Sequence, residues 1–222
     1  MRQILVYADS LTWGIIPDTR QRLPFERRWP GVLEALLRER GVHARVIEDC
    51  LNGRRTVWDD PYKPGRNGLL GFEQRIEVNS PLALLILMLG TNDFQSPQEL
   101  TAWHSAQGIA ALIGAIRRAP IEPGMPLPAI LVVAPPPLRS PRGPIAPKFA
   151  DAERKCVGLA AAYARVADEL RCAFFDAGGV TESSRVDGVH LDADQHQTLG
   201  AALAAPVAAL LEAQPSRGEG SE

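Results

Sequence analysis

The sequence contains few of the residues on which disulfide-linked and metal-binding proteins depend. Its 3 cysteines, Cys50, Cys156 and Cys172, are odd in number, far apart and in no Cys-x-x-Cys arrangement. This spacing gives neither a disulfide framework nor a zinc knuckle, so we expect reduced and mostly buried thiols. Only 4 histidines are present, and none has metal-ligand spacing to another histidine.

Charge and hydrophobic runs are equally uninformative about large partners. The chain has 24 Lys and Arg against 26 Asp and Glu, a net charge of −2, with no basic stripe and no long acidic run. The first apolar segment, residues 4–7, is too short for a signal peptide or a membrane span. We therefore expect a cytoplasmic protein without a nucleic-acid or membrane partner.

The sequence does contain a regular alternation of short apolar runs and helical patterns. The apolar runs predict five strands, at 4–7, 44–48, 82–89, 129–134 and 172–176. Apolar residues at helical spacing predict helices over 29–41, 98–118, 152–171 and 193–212. We expect Pro206 to kink the last helix or to end it early.

This alternation predicts a three-layer α/β fold with a five-stranded parallel sheet. The third and fourth runs are almost wholly apolar, which is typical of parallel strands covered on both faces. We expect residues 1–213 to form a single domain and residues 214–222 to be a disordered tail. Loops rich in Pro or Gly span 50–68, 119–128 and 135–149, and we expect two of them to wall a pocket.

A serine, Ser10, follows the first predicted strand directly in the stretch YADSLTWG. A serine hydroxyl becomes nucleophilic when a histidine takes its proton and a third group orients that histidine. His43 precedes the second strand, and His104 and His196 fall in helical patterns, where we expect solvated or packing roles. His190 differs, because it lies in a turn, VDGVHLD, between the fifth strand and the last helix.

Asp187 lies three residues before His190, and Gly188 permits a tight turn between them. One short loop can then hold the carboxylate against Nδ1 of the imidazole. Two alternatives remain open for this stretch: an ordinary Asp-Gly turn before a helix, and an Asp/His metal pair.

Donors for the oxyanion of a tetrahedral intermediate are the next requirement. Asn92, in GTND at 90–93, follows the third strand, and Gly53, in CLNGR at 50–54, follows the second. The backbone N–H of Ser10 is a third candidate, if a helix begins there. Taken singly, NG is more typical of a turn and TND of a loop or helix cap, but in a parallel sheet these loops share one edge.

Together these motifs carry a family resemblance. The chain resembles the SGNH (GDSL-type) serine hydrolases, whose four blocks match ADSL around Ser10, NG at 52–53, GTND at 90–93 and DGVH at 187–190. It is most similar to the bacterial arylesterase and acyltransferase branch, through stretches that span most of the chain up to about residue 200. These stretches are SLTWG, RRWPGVL, NGRRTVWDDP, RNG, MLGTND, APPPL, FFDAG and DGVHLD.

The resemblance implies a flavodoxin-like α/β/α fold, with Ser10 as nucleophile, His190 as base and Asp187 as its orienting group. It also implies an oxyanion hole formed by Ser10, Gly53 and Asn92, and neither a metal nor an organic cofactor. Similar arylesterases often assemble as homo-oligomers in which loops narrow a hydrophobic channel, so we expect a homo-oligomer.

One residue departs from the family pattern, because Ala8 stands where the first block usually begins with glycine. If that position needs a positive φ, alanine strains the turn by roughly 1 kcal/mol. If glycine serves only close packing, a methyl group is absorbed, and we expect this second case.

Three further residues are candidates for substrate binding. Trp13, beside the serine, either forms the floor of an acyl or aryl pocket or belongs to the core. Trp58 has the same two interpretations. Arg54 either contacts the substrate or pairs with Asp59 or Asp60.

The sequence therefore predicts a serine esterase acting on small aryl or short-chain alkyl acetates through an acyl-enzyme, with acyl transfer to alcohols if the channel excludes water. The alternative enzyme is a carbohydrate or xenobiotic O-deacetylase. The alternatives from other classes are a non-catalytic ligand-binding α/β module, in which Ala8 marks a decayed site, and a flavin-binding protein. The flavin interpretation lacks a Ser/Thr/Gly-rich phosphate loop after the first strand.

Overall fold

Five parallel strands form one sheet in the computed structural model, which describes residues 1–213. The strands are β1 Arg2–Ala8, β2 Ala44–Cys50, β3 Leu84–Met88, β4 Ala129–Ala134 and β5 Ala173–Asp176. Their order in the sheet is β2-β1-β3-β4-β5, and every neighbouring pair is parallel. The predicted five-stranded parallel α/β fold is confirmed, and the predicted tail at 214–222 lies outside the described residues.

Helices cover both faces of the sheet. Within residues 1–213 they are α1 Ser10–Trp13, α2 Trp29–Glu39, α3 Phe72–Asn79, α4 Ala102–Arg118, α5 Ala152–Lys155, α6 Leu159–Glu169 and α7 Ala193–Glu212. One layer contains α2 packed against α7, and the other contains α4 packed against α6. The result is the three-layer α/β/α arrangement that the alternating pattern predicts.

The strands are apolar because successive side chains enter opposite layers. In β1, Ile4 and Val6 join the core beneath α2 and α7, whereas Leu5 and Tyr7 join the core beneath α4 and α6. All five residues of β3 are buried. A strand covered on both faces has no position for a solvated side chain, which explains its continuous hydrophobicity.

The helix boundaries differ from the predicted ones in three places. Gly158, with φ of 84°, divides the predicted 152–171 helix into α5 and α6. The predicted 98–118 helix begins only at Ala102, because Thr101 and His104 form a capping box. Of the two outcomes predicted for Pro206, the early end is wrong: α7 continues through Pro206 to Glu212, and Leu203, Val207 and Leu211 remain buried on both sides of the proline.

Helix α3 lies in a stretch for which the periodicity gives no helix. It buries only Phe72 and Ile76, so its sequence, FEQRIEVN, has too few apolar positions for a helical pattern to stand out. None of the helices described between residues 1 and 213 has the length and apolar character that a membrane span requires.

The close contact between α2 and α7 gives a stability prediction. A Cβ at Gly200 in α7 would lie 2.7 Å from the carbonyl oxygen of Trp29 and 2.7 Å from Cβ of Val32. We expect Gly200→Ala to lower the free energy of unfolding by about 1–3 kcal/mol, because overpacking outweighs the gain in helix propensity.

The matched control is Gly114→Ala in α4, where the new Cβ would meet only the flexible end of Arg118, at 3.0 Å. Gly114→Ala should leave stability unchanged or raise it by up to about 1 kcal/mol. Urea unfolding of both variants checks the pair, and equal midpoints would contradict the described packing of α2 on α7.

Candidate active site

The edge formed by the carboxyl ends of β1, β2 and β3 collects three of the predicted site residues. Ala8, the last residue of β1, is in register with Cys50 of β2 and with Met88 of β3. The segments that follow these three strands therefore leave the sheet at the same level. Ser10, Gly53 and Asn92 lie in those segments and line one cavity.

Ser10 is the first residue of α1, a helix of four residues. The side chain of Asp9 caps this helix by accepting a hydrogen bond from the backbone N–H of Leu11 at 2.9 Å. Gly14, with φ of 84°, ends the helix one turn later. As the first helical residue, Ser10 has a backbone N–H without an acceptor inside the helix, so this group is available to a ligand.

Ala8 causes no backbone strain at this turn. It lies within β1 and is not among the non-glycine residues with positive φ in the described part of the chain. Its methyl group is fully buried in the core beneath α2 and α7. The close-packing interpretation of this position is therefore correct, and the strained-turn interpretation is wrong.

Asp187 and His190 form a compact unit in the turn before α7. Oδ2 of Asp187 lies 2.6 Å from Nδ1 of His190, and Oδ1 accepts the backbone N–H groups of Val189 and His190, both at 2.9 Å. Gly188 has φ of 79°, and a Cβ there would lie 2.6 Å from the carbonyl oxygen of Ser140. Glycine is required at this position for both reasons.

Burial by itself would raise the pKa of Asp187, but the hydrogen bond and charge of His190, with the two backbone N–H donors, outweigh it. The net result is a pKa below the ordinary value for an aspartate. Asp187 is therefore ionised throughout the neutral range, where it stabilises a positive charge on His190.

Ser10 and His190 line the same cavity but form no hydrogen bond with each other in the described residues. Hydrogen bonds between a nucleophile and its base are often longer in free enzymes than in complexes with substrate. Because Nδ1 of His190 is engaged by Asp187, Nε2 is the nitrogen left to receive a proton from the cavity side.

Asn92 is fixed by hydrogen bonds on both sides of its amide. Nδ2 donates to Oδ2 of Asp9 at 3.0 Å and to the carbonyl oxygen of Arg54 at 3.1 Å, while Oδ1 accepts from Nε2 of Gln95 at 2.7 Å. Both N–H groups of Asn92 thus have protein partners, so donation to an oxyanion requires one of them to be shared.

Asp9 is fully buried beside this amide. Burial raises its pKa to about 7, against the opposing effects of the Leu11 N–H, the His190 charge, the Asn92 hydrogen bond and the Arg54 charge. A carboxyl group one residue before Ser10 therefore changes its charge near neutral pH.

Gly53 presents an unpaired donor on the other side of the cavity. Its backbone N–H hydrogen-bonds no acceptor among residues 1–213. Its φ of 86° explains the glycine, because an added Cβ would have space, with Cδ of Arg66 as the nearest atom at 3.6 Å. Gly53 lines the same cavity as Ser10 and Asn92.

The cavity has a volume of about 240 Å³. Part of its wall is apolar, and this part consists of Ile15, Pro144, Ile145 and Phe149. Its charged side chains, apart from Asp187, are Asp18, Arg20, Lys63, Arg142 and Lys148. Loops 50–68 and 135–149 both contribute to this wall.

The three predicted substrate-binding residues lie outside the lining of this cavity. The ring of Trp13 stacks with the guanidinium of Arg22 at 4.7 Å, and the ring of Trp58 meets that of His104 edge-on at 6.2 Å. Arg54 pairs with Asp49 at 2.7 Å, rather than with Asp59 or Asp60 as predicted.

Arg54 instead connects the ends of β1 and β2. It donates to the carbonyl oxygen of Ala8 at 2.9 Å, and its guanidinium lies 3.8 Å from the centre of the Tyr7 ring. Its own carbonyl group accepts from Asn92. The backbone of Arg54, rather than its side chain, is what touches the site.

His196, one of the two histidines predicted to lie in helices, is packed away from solvent. Its Nδ1 accepts the backbone N–H of Trp29 at 3.2 Å. Burial, and then the charges of Arg28 and His190, lower its pKa to about 3, so it is neutral. The packing role predicted for this histidine agrees with these contacts.

A buried network around Asp93 is the part of the site that the sequence does not reveal. Asp93 accepts the backbone N–H and hydroxyl of Thr56 at 2.9 and 2.8 Å, and the hydroxyl of Ser105 at 2.6 Å. Ser105 also contacts the hydroxyl of Tyr163 at 2.7 Å. The network joins the loop that contains Gly53 to the turn that contains Asn92; GTND includes Asp93, but no motif identifies its partners.

No group of three or more His, Cys, Asp or Glu side chains within residues 1–213 is arranged to hold a metal ion. The residues around the cavity instead supply a hydroxyl, an imidazole with a carboxylate, and backbone and amide donors. This set of groups matches the chemical requirements of acyl transfer through a serine.

Comparisons with known proteins agree with this chemistry. A model of the GDSL-like lipase/acylhydrolase family matches residues 9–198 of the chain. A comparison with curated protein sequences finds no significant match.

Several solved structures are similar over almost the whole chain. A carbohydrate acetylesterase family member from Sinorhizobium meliloti is 37% identical, with a TM-score of 0.89 over 96% of this chain and 100% of that chain. The native aryl esterase of M. smegmatis is 36% identical, with a TM-score of 0.89 over 95% and 100%. A putative arylesterase from Agrobacterium tumefaciens str. C58 is 40% identical, with a TM-score of 0.84 over 95% and 100%.

The Asp187–His190 pair generates a prediction for catalysis. Asp187→Asn should lower kcat by about 10³–10⁴-fold, because an amide cannot fix the Nδ1–H tautomer or stabilise the charged imidazole. Asp187 stays ionised between pH 5 and pH 8, because its pKa is lowered, so the loss in Asp187→Asn should persist across this range.

Steady-state kinetics across this pH range test the prediction, with Asp194→Asn as the control at an exposed aspartate in the first turn of α7. A loss of kcat smaller than tenfold in Asp187→Asn would contradict the role of the pair.

Proposed function

The chain belongs to the GDSL-like lipase/acylhydrolase family and is a carboxylic ester hydrolase, and on this basis we propose that it hydrolyses small acetyl esters through an acyl-enzyme on Ser10. One observation carries the proposal: Ser10 shares a cavity with the hydrogen-bonded Asp187–His190 pair and with Gly53, whose N–H meets no acceptor among residues 1–213. We propose that residues 1–213 act as a single catalytic domain.

In the proposed mechanism, Oγ of Ser10 attacks the ester carbonyl while Nε2 of His190 takes the hydroxyl proton. Collapse of the tetrahedral intermediate breaks the bond to the alcohol oxygen, and His190 returns the proton to that oxygen. Water then attacks the acyl-serine, again giving a proton to His190, and the acid leaves as Ser10 regains its hydrogen. Asp187 stays ionised and stabilises the charged imidazole in both halves.

The developing oxyanion is assigned to three donors. Within the described residues, the N–H groups of Ser10 and Gly53 donate to no acceptor, which supports their role. Asn92 takes part by sharing an N–H that now donates to Asp9 or to the carbonyl of Arg54. Its contribution should therefore lie at or below the range of about 10²–10³-fold that one side-chain donor supplies elsewhere.

The cavity supports a short acyl group, because its volume is only about 240 Å³ and part of its wall is apolar. The similar solved structures are described as carbohydrate acetylesterases and arylesterases, which supports acetyl esters of sugars or phenols as the substrate class. Aryl esterase and O-deacetylase activities use the same chemistry and differ only in the alcohol that leaves.

Other expectations from the sequence stay predictions. These are acyl transfer to alcohols, assembly as a homo-oligomer and a cytoplasmic location. The non-catalytic and flavin-binding alternatives are not retained, because the family match and the solved structures indicate an ester hydrolase.

The experiment for this proposal measures hydrolysis of p-nitrophenyl esters from acetate to octanoate without added metal. Ser10→Ala should lower kcat for the acetate by about 10⁴–10⁶-fold, because it removes the nucleophile. In the wild type, kcat/KM should fall as the acyl chain lengthens, since the cavity is small.

Ser80→Ala is the matched control, because Ser80 bonds the carbonyl of Ile76 at the end of α3, before β3 and far from the carboxyl edge of the sheet. Acetate turnover that survives in Ser10→Ala within tenfold of the wild type would refute the assigned nucleophile. Faster turnover of octanoate than of acetate would refute the short acyl pocket.

A further inference from the structure

Four basic side chains converge on the mouth of the cavity from separate parts of the chain. Arg20 comes from the segment after α1, Lys63 from loop 50–68, and Arg142 and Lys148 from loop 135–149. We call these four residues the cationic rim. A chain with a net charge of −2 gives no sign of this concentration in its sequence, because the four residues are dispersed over almost 130 positions.

In the described part of the chain, the exposed side chains of the cationic rim lack the partners that buried cations have. Arg28 pairs with Glu48 and Arg54 pairs with Asp49. In the described chain, by contrast, no rim side chain forms an ion pair or a hydrogen bond. The positive charges of the rim are therefore available to bind an anionic ligand.

Neighbouring acidic groups only partly compensate the rim. Among the described residues, Asp18 is the one carboxylate side chain that lines the cavity besides Asp187, and Asp187 is hydrogen-bonded to His190. Asp60 lies near Lys63 and Lys148, but its carboxylate accepts the backbone N–H groups of Tyr62 and Lys63. Four positive charges therefore face about two negative ones.

The rim cations also repel one another. Burial lowers the pKa of Lys148; the charge of Asp60 opposes this, and the charges of Lys63, Arg55 and Arg20 add to it. Burial, then Arg66 and Arg20, lower the pKa of Lys63 against the effect of Asp60. Such mutual destabilisation of like charges is relieved when an anion binds between them.

The position of the rim indicates which part of the ester it meets. The backbone N–H of Arg142 donates to the carbonyl oxygen of Asp187 at 3.0 Å, so Arg142 is held on the side of the base. In the proposed mechanism, His190 protonates the oxygen of the leaving alcohol. The alcohol portion of a bound ester therefore extends past the base toward the exposed rim.

We propose that the cationic rim binds an anionic oxygen group, a carboxylate or a phosphate, on the alcohol portion of the ester, so that acetylated acidic alcohols or phenols are the preferred substrates. The proposal rests on the proposed function and specifies its substrate class. The apolar wall, which lines the same cavity as the rim, then holds the body of the substrate.

Three acetyl esters of similar shape test the proposal: 3-acetoxybenzoate, 3-acetoxyphenyl phosphate and the neutral 3-acetoxybenzamide. Each kcat/KM is divided by the rate constant for alkaline hydrolysis, which removes differences in intrinsic reactivity. We expect the corrected kcat/KM of at least one anionic ester to exceed that of the neutral ester, 3-acetoxybenzamide, by about tenfold or more. The larger of the two anionic values identifies carboxylate or phosphate as the group recognised.

Salt provides a test without any variant. The preference for the anionic ester should fall toward unity between 0.05 and 1 M NaCl, because the Debye length shrinks to about 3 Å at about 1 M. The variant test uses Lys63→Gln, Arg142→Gln and Lys148→Gln, singly and together. The triple change should lower the ratio of kcat/KM for the anionic ester to that for the amide by about tenfold.

Arg165→Gln is the control, because Arg165 is an exposed arginine of α6 that does not line the cavity. Equal corrected values for all three esters, with no effect of salt, would overturn this inference and leave the esterase intact. Failure to hydrolyse any of the three esters above the Ser10→Ala background would instead refute the proposed function. If the triple variant fails to fold, the single variants and the salt series still decide between these outcomes.

Discussion

Parallel pairing of β1 with both β2 and β3 is the constraint on which the assembly of the site depends. Because Ala8 is in register with Cys50 on one side and with Met88 on the other, segments more than 30 residues apart in the chain leave the sheet together. Once the strands are paired, local features are enough to shape the turns that follow them. Asp9 caps the helix after β1, and Gly53 adopts a left-handed conformation after β2. The continuous hydrophobicity of the strands maintains the pairing, since both faces are covered by helices.

Two buried carboxyl groups then hold the turns in place, although burial disfavours their charged form. Asp9 and Asp93 are carboxyl groups in an interior where burial raises both pKa values. Each accepts hydrogen bonds from another segment: Asp9 from Asn92, in addition to its neighbour Leu11, and Asp93 from Thr56 and Ser105. Loss of one partner would leave an unsatisfied buried acceptor, so the segments are restrained jointly rather than singly.

The sequence predicts features that depend on local pattern and fails where distant residues meet. The strands are recognisable as apolar runs, and Ser10, Asp187 and His190 belong to short motifs. Helix α3 is missed because only two of its residues are buried, and the break at Gly158 is missed because the apolar spacing continues across it. The partner of Arg54 and the cationic rim depend on which loops face each other, and no short motif encodes that.

The central claim is that Ser10 carries the acyl group, and trapping that intermediate tests it most directly. The wild type is mixed with p-nitrophenyl acetate and quenched in acid during the first turnover. The protein is then digested, and the masses of its peptides are measured by mass spectrometry. The account predicts one acetyl group on the peptide that contains Ser10, in an amount matching a burst of p-nitrophenol, and none there in Ser10→Ala. Rapid turnover with an unmodified Ser10 peptide, or acetyl on another residue in proportion to the burst, would contradict it.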